Sequence, residues 1–342
     1  MLFGDLPITD INIQNYPSPS INVSNANDYS FEDSLLKVLE HPTVASKLFL
    51  ITIGDRTVNG LVFRDQLIGN RQIPVSDYAA TLDDYGTNSG QVISIGEKPN
   101  IAIENPEASS RMALAEAITN LCGVKHDALN KISFSANWMS STKTADEKGD
   151  LVRGVQALAN MADTLNVSIP VGKDSLSMKV NWKKNESEHS VTSPMTLNIS
   201  SFSNVQDLYK SVTPELSSSD STLLHLWVHT DKYRLGGSAL YQSFKLYGGT
   251  TPDIDDVNQL KALFDVTQKL LDKDLVEAMH DISDGGLISS LIEMALCSNQ
   301  GLNIDLNYSD KEQIIPKLFS EEAGLVIEVN NEKLETVKKH FN

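Results

Sequence analysis

Apolar positions recur at helical spacing along residues 106–122, where Leu114, Ile118, Leu121 and Cys122 define one stripe. Asn105 is placed to cap this helix, and Pro106 suits its first position. Glu116 and Asn120 stand four apart on a different face, so their side chains point the same way. Ala113, Ala115 and Ala117 leave that region open to close approach. The same periodicity predicts helices over 31–40 (Leu35, Leu36 and Leu39 inward), 150–166, 257–273 and 287–297, with a closing helix at the end. Alternating or short apolar runs predict strands over 47–53, 73–80, 91–95, 132–139, 167–171, 191–202, 223–228, 276–279 and 301–306, with a turn into another near 319–328.

Length and charge narrow the class. A chain of 342 residues holds two ordinary domains. A Ser-rich stretch at 217–221 marks the expected boundary, which gives an α+β unit over 31–210 and an α/β unit over 220–342. Residues 1–30, rich in Asn, Ser and Pro, read as an extended tail or linker. The net charge of -17 argues against nucleic acid and anionic membranes as partners. No apolar run approaches the ~18–20 residues of a membrane span. No signal-peptide pattern opens the chain, so the cytoplasm is the expected compartment. Cys122 and Cys297 lie in apolar helical patterns and read as core residues rather than a disulfide or nucleophile.

The chemistry-bearing stretches are few. Glu116 and Asn120 offer oxygen ligands suited to a hard cation, although taken alone they read as a solvated pair. Asp77 closes the strand-like run Gln72-Ile-Pro-Val-Ser-Asp77, where a carboxylate wants a partner. His280-Asp-Ile-Ser-Asp-Gly-Gly286 lies between a strand and a helix, so its glycines and the helix start can meet an anion. A plain alternative is a capped helix start, with Ser283 or Asp284 as the cap. Gly172-Lys-Asp-Ser-Leu-Ser-Met-Lys179 joins small hydroxyl residues to two lysines, a combination that can meet phosphate but is not a P-loop.

Together with Ile169-Pro-Val-Gly-Lys-Asp-Ser-Leu-Ser-Met-Lys179 and Ser135-Ala-Asn-Trp-Met139, these stretches resemble the synthetase domain of the phosphoribosylformylglycinamidine synthase family. The resemblance runs from about residue 48 to the end and covers only the second half of that domain. It implies an α+β domain followed by an α/β domain, one half of a duplicated aminoimidazole ribonucleotide synthetase-like architecture. It departs from the family pattern at Asn70-Arg71, where Pro-Trp is expected, and at Ile282, where Arg is expected.

The resemblance implies an ATP-dependent amidation of formylglycinamide ribonucleotide by glutamine-derived ammonia, in purine biosynthesis. It implies Mg²⁺ held by Asp77, Glu116, Asn120 and Asp281, and ATP or ADP touched by Ser76, Lys173 and Ser283. Four oxygen donors, three of them acids, suit Mg²⁺ better than Zn²⁺. The first synthetase half, with its ATP loop, and the glutaminase domain have no counterpart here, so both are expected partners. The Met1 start inside the family's sequence suggests a fragment, a split-gene product or a decayed gene. The chain then reads either as part of the ligase or as a nucleotide–Mg²⁺ module or inactive remnant. A self-dimerising synthase is a weaker third reading.

Overall fold

The computed structural model describes residues 29–54, 56–57, 60–217, 220–228, 232–304 and 313–341. In the first part of the chain the elements are α1 (Phe31–Leu39), α2 (Leu48–Thr52), β1 (Val62–Arg64), β2 (Ala79–Leu82), β3 (Gly90–Glu97), α3 (Pro99–Ala102), α4 (Pro106–Thr119), β4 (Ser133–Met139), α5 (Ala145–Leu165), β5 (Ser168–Ser175), β6 (Lys179–Lys184), β7 (Ser187–Thr192) and β8 (Thr196–Val205). The second part holds β9 (Ser221–Trp227), α6 (Ala239–Ser243), α7 (Val257–Asp272), β10 (Ala278–Asp281), α8 (Gly286–Ser298), α9 (Ile314–Phe319), β11 (Gly324–Asn330) and α10 (Leu334–Lys338).

Six strands form one mixed sheet in the order β1-β2-β3-β8-β4-β5, and only β4 and β5 run parallel. Strict alternation along β3 buries Val92 and Ser94 and leaves Ile93 and Ile95 exposed. The buried face is covered by α4 and α5. Asn105 caps α4 by accepting from the Ala108 N–H at 2.9 Å, with Pro106 at its first turn. Leu114, Ile118, Leu121 and Cys122 are all fully buried. Each large aliphatic side chain in that stripe contributes about 1.5–3 kcal/mol. A reciprocal Thr144–Glu147 capping box starts α5 five residues before the predicted helix, and Asn166 ends it in the left-handed conformation.

The second sheet runs β10-β11-β9 with both pairings antiparallel. It and the helices around it meet the first part through a shared apolar cluster, to which Ile118, Phe264 and Leu325 belong, and through polar ties. Arg111 on α4 makes a two-pronged pair with Asp253, at 2.7 and 2.6 Å. Tyr78 donates to the Val212 carbonyl at 3.0 Å, and the His126 N–H donates to Gln268 Oε1 at 2.6 Å. α1 joins the second unit rather than the first. Val38 packs in a cluster with Leu235, Leu240 and Phe319, and Tyr29 stacks on Phe244 at 3.8 Å.

Several predicted elements differ. Residues 48–52 form one helical turn instead of a strand, with Leu48, Phe49 and Leu50 exposed. No described strand pairs with them, and a single turn satisfies the backbone locally, as in the Ile51 N–H to Lys47 carbonyl bond at 3.2 Å. The expected strand over 73–80 contracts to β2, because Gln72 adopts φ 51 and Pro74 brings no N–H to a ladder. Only an isolated Leu67–Val75 bridge precedes it. Leu36 points outward on α1, where Ser34 and Val38 take the buried positions. The strand expected over 167–171 runs on to Ser175 as β5, and β6 starts at Lys179 after a short connection. Residues 301–304 are not a strand, and 305–306 lie outside the described residues. So do residues 1–28 of the expected tail, Asp55, Val58 and Asn59, and Ser218 and Ser219 of the expected boundary.

Candidate functional site

The two sheets bring their carboxylates together beside a cavity of about 740 Å³. Asp77 arrives just before β2, His280 and Asp281 end β10, and Ser283 and Asp284 sit in the turn that starts α8. Ligand atoms of Asp77, His280 and Asp281 all lie within 4.8 Å of one another. Both ring nitrogens of His280 face carboxylates, Nδ1 at 2.9 Å from Asp77 and Nε2 at 2.8 Å from Glu293 on α8. Burial opposes charging this ring, but Asp77 and Glu293 outweigh it and hold the imidazole protonated well above the usual histidine range. His280 is thus an orienting counter-ion for Asp77 rather than an open ligand.

Asp281 is the odd group. Its Oδ2 is buried and has no hydrogen-bond partner among the described residues. Burial first, then the neighbouring Asp77, pushes its carboxyl well above the usual range. A buried carboxylate oxygen left unpaired beside a second acid is the arrangement a hard cation relieves.

Glu116 reaches this cluster from α4. Its Oε1 accepts from Ser283 Oγ at 2.6 Å, and its Oε2 accepts from the Glu97 N–H at 2.7 Å. Lys98, 4% exposed, lies 3.3 Å from Glu116 Oε1 and 2.7 Å from Asp284 Oδ1. Burial disfavours its charge, yet Asp284, Glu116 and Glu321 keep the ammonium protonated well above the ordinary lysine range. Asn120, one turn after Glu116, lines the cavity and donates its amide to the Ile95 carbonyl at 2.9 Å. The glycines explain the close approach. A Cβ on Gly96 would sit 2.2 Å from the Ala113 carbonyl, so the bare backbone lets α4 lie directly on β3.

The turn after Asp281 needs Gly285 and Gly286, at φ 88 and 73. The expected cap at Ser283 or Asp284 is absent, because Gly285 occupies that position without a side-chain bond. The buried Glu321 carboxylate instead takes the Gly285 N–H at 2.9 Å, so part of this helix start already holds an internal anion. Burial pushes the Glu321 carboxyl up to about 7.

Of the sequence-predicted site residues, Ser76, Asp77, Asn120, Asp281 and Ser283 line the one cavity, and Glu116 joins them through Ser283. The Ser76 N–H is already donated to the Gln66 carbonyl at 2.9 Å. Lys173 is not brought here. It is exposed on β5, the far edge of the six-stranded sheet, where it contacts Ser175. Ile282 packs in the apolar cluster with Val38 and Leu216, so core contacts occupy the position where a charge was expected. Asn70 and Arg71 are exposed. Sequence reasoning gave no role to Lys98, Glu293 or Glu321. Only Lys98 had a local signal, as a cation at the end of an alternating strand.

Two family models match this arrangement in order. The FGAR-AT PurM_N-like domain matches residues 46–204, and the C-terminal domain of AIR synthase related protein matches residues 227–342. A phosphoribosylformylglycinamidine synthase of Schizosaccharomyces pombe is 42% identical over 316 residues. The chain matches the PurM-like part of the phosphoribosylformylglycinamidine synthase family. That match takes in 90% of the chain and 24% of the relative's length, so the family resemblance is to a part. Among solved structures, T. maritima PurL complexed with FGAR superposes with a TM-score of 0.58 at 12% identity, over 92% of this chain and 48% of that one. T. maritima PurL complexed with ATP gives 0.53 at 16% identity, over 81% and 42%. These structural likenesses establish the fold: one half of a duplicated PurM-like architecture. No helix among the described residues is long and apolar enough to cross a membrane.

Proposed function

We infer that this chain supplies a nucleotide- and Mg²⁺-binding half of an ATP-dependent carbon–nitrogen ligase. The reaction is amidation of formylglycinamide ribonucleotide with glutamine-derived ammonia, a step of purine biosynthesis in the cytoplasm. The chain is read as an α+β unit over 31–210 and an α/β unit over 220–342, with α1 of the first stretch packed against the second unit. The observation that carries the reading is the acid cluster of Asp77, Asp281 and Glu116, with an unpaired buried oxygen on Asp281, at a cavity between the units. Asp77, Glu116, Asn120 and Asp281 would hold Mg²⁺, and Ser76 and Ser283 lie beside the same cavity for ATP or ADP. The bound cation would neutralise phosphate charge and fix its geometry. His280 holds Asp77 in place, and the Glu97 N–H orients Glu116.

The partners in this reading are a first synthetase half and a glutaminase. Supporting the former, Ile93, Ile95 and Phe202 are 41%, 52% and 45% exposed on the open face of the six-stranded sheet. Ile93 and Phe202 are register neighbours, so they form a contiguous apolar patch. This patch favours a subunit of a larger enzyme over a free-standing nucleotide-binding remnant. Neither cysteine serves as a glutaminase nucleophile, since both are buried.

The test is calorimetric binding of ADP and ATP with and without Mg²⁺, for the wild type and Glu116→Gln. Mg²⁺-dependent binding lost in the variant supports the site. No binding by a folded chain removes it. Turnover that appears only on adding a first half and a glutaminase distinguishes the ligase part from a binding module.

A further inference from the structure

The acid cluster contains its own cation. Lys98 follows β3 and is fixed by its backbone, whose carbonyl accepts from Ser109 Oγ at 2.6 Å. Its ammonium is the only lysine or arginine group paired with Glu116 among the described residues. It also reaches across to Asp284 in the second unit.

A carboxylate offers about four lone-pair positions, two on each oxygen. On Glu116, Oε1 faces both Ser283 Oγ and Lys98 Nζ, while Oε2 already accepts from the Glu97 N–H. Correspondingly, Glu116 stands outside the trio of Asp77, His280 and Asp281 whose ligand atoms cluster within 4.8 Å. Asp281 has an idle oxygen and Glu116 does not. A divalent cation that recruits Glu116 must therefore displace, or approach closely, a buried ammonium. Like charges at such range between largely buried groups repel.

We propose that Lys98 is a specificity-determining residue that competes with divalent cations for the Glu116 carboxylate. It keeps the nucleotide-free site from being filled by free metal, so that Glu116 is recruited only when phosphate brings additional negative charge. The inference rests on the Mg²⁺–nucleotide reading above and adds to it an internal cation with a definite sign of effect. A purely structural Lys98 would weaken metal binding when removed. A competing Lys98 strengthens it.

The probe is Mn²⁺ alone, with free ion counted by electron paramagnetic resonance, on the full chain without nucleotide. Lys98→Met removes the charge at similar length and is expected to bind Mn²⁺ about tenfold more tightly than wild type. Lys98→Arg keeps the charge and is expected to stay near wild type. The gain is expected to vanish in the Lys98→Met, Glu116→Gln double variant. If circular dichroism finds Lys98→Met unfolded, Lys98→Gln keeps a hydrogen-bond donor without the charge and is read the same way. Unchanged or weaker Mn²⁺ binding in the folded neutral variant overturns the proposal while leaving the metal site standing. Absence of Mn²⁺ binding in every form, with ADP as well as without, overturns the metal reading and this proposal together.

Discussion

Ser283 donates its hydroxyl to Glu116 Oε1 at 2.6 Å, across 167 residues of chain and from one unit to the other. A hydrogen bond to a charged acceptor contributes about 1.5–3 kcal/mol, more than a neutral one. Lys98 and the Glu97 N–H remain on Glu116 when the hydroxyl is removed. Ser283→Ala is therefore expected to lower stability by about 1–2 kcal/mol in urea unfolding. It is also expected to weaken ADP binding, because the turn before α8 loses its tie to α4. Unchanged stability would mean that the two units are held at this point by Lys98 alone.

Gly96 sets the distance between β3 and α4. A Cβ there would lie 2.2 Å from the Ala113 carbonyl and 2.4 Å from the Ala117 nitrogen, both backbone atoms that cannot swing away. Gly96→Ala is expected to cost about 1–3 kcal/mol by overpacking. Because α4 carries Glu116 and Asn120, Mg²⁺-dependent ADP binding should fall with it. Calorimetry on the folded fraction, with thermal unfolding alongside, checks both effects.

His126 is buried between the units, with its ring near Ser203 Oγ at 3.0 Å and Phe264 stacked at 6.0 Å. Burial takes its imidazole from 6.5 down to about 4. The unfolded chain therefore binds this proton at a higher pH than the folded one. The contribution is complete above 6.5 and is lost as the pH falls from 6.5 to 4. Across that window the slope from this residue approaches ~1.4 kcal/mol per pH unit. In urea unfolding followed against pH, His126→Gln is expected to show a shallower loss of stability on acidification than wild type. Parallel curves would exclude His126 as the source.

Cys122 is fully buried, and burial pushes its thiol up to about 12. Cys297 is buried as well and shifted in the same direction. A thiol reagent near pH 8 is expected to find neither group in the native chain and both after unfolding. Rapid native labelling would place one of them at an accessible site.

The α4 helix shows how far local pattern reaches. Its Asn105 cap, proline start, buried Leu114 and Ile118 and the shared side of Glu116 and Asn120 all follow from local residue pattern, whereas its burial on nearly every face, and its end at Thr119 before Leu121 and Cys122, do not. The 47–53 run shows where local pattern stops. Alternation is a strand signal only when a neighbouring strand is available, and here one helical turn forms instead. Lys173 is a third case. Its motif was legible, but its position on the outer edge of the sheet follows from strand order, which no motif encodes.

By itself, the sequence determined helices and strands such as α4 and β3, because these depend on residue types at short spacing, while the family and the acids Asp77, Glu116 and Asp281 were legible only through the resemblance of several longer stretches. Tertiary structure alone decided which charges face one another. The ion pairs of His280 with Asp77 and of Lys98 with Asp284 join residues 203 and 186 positions apart. Such pairs exist only because the packing of two sheets removes water from between them, and that is a property of the assembled fold rather than of any segment.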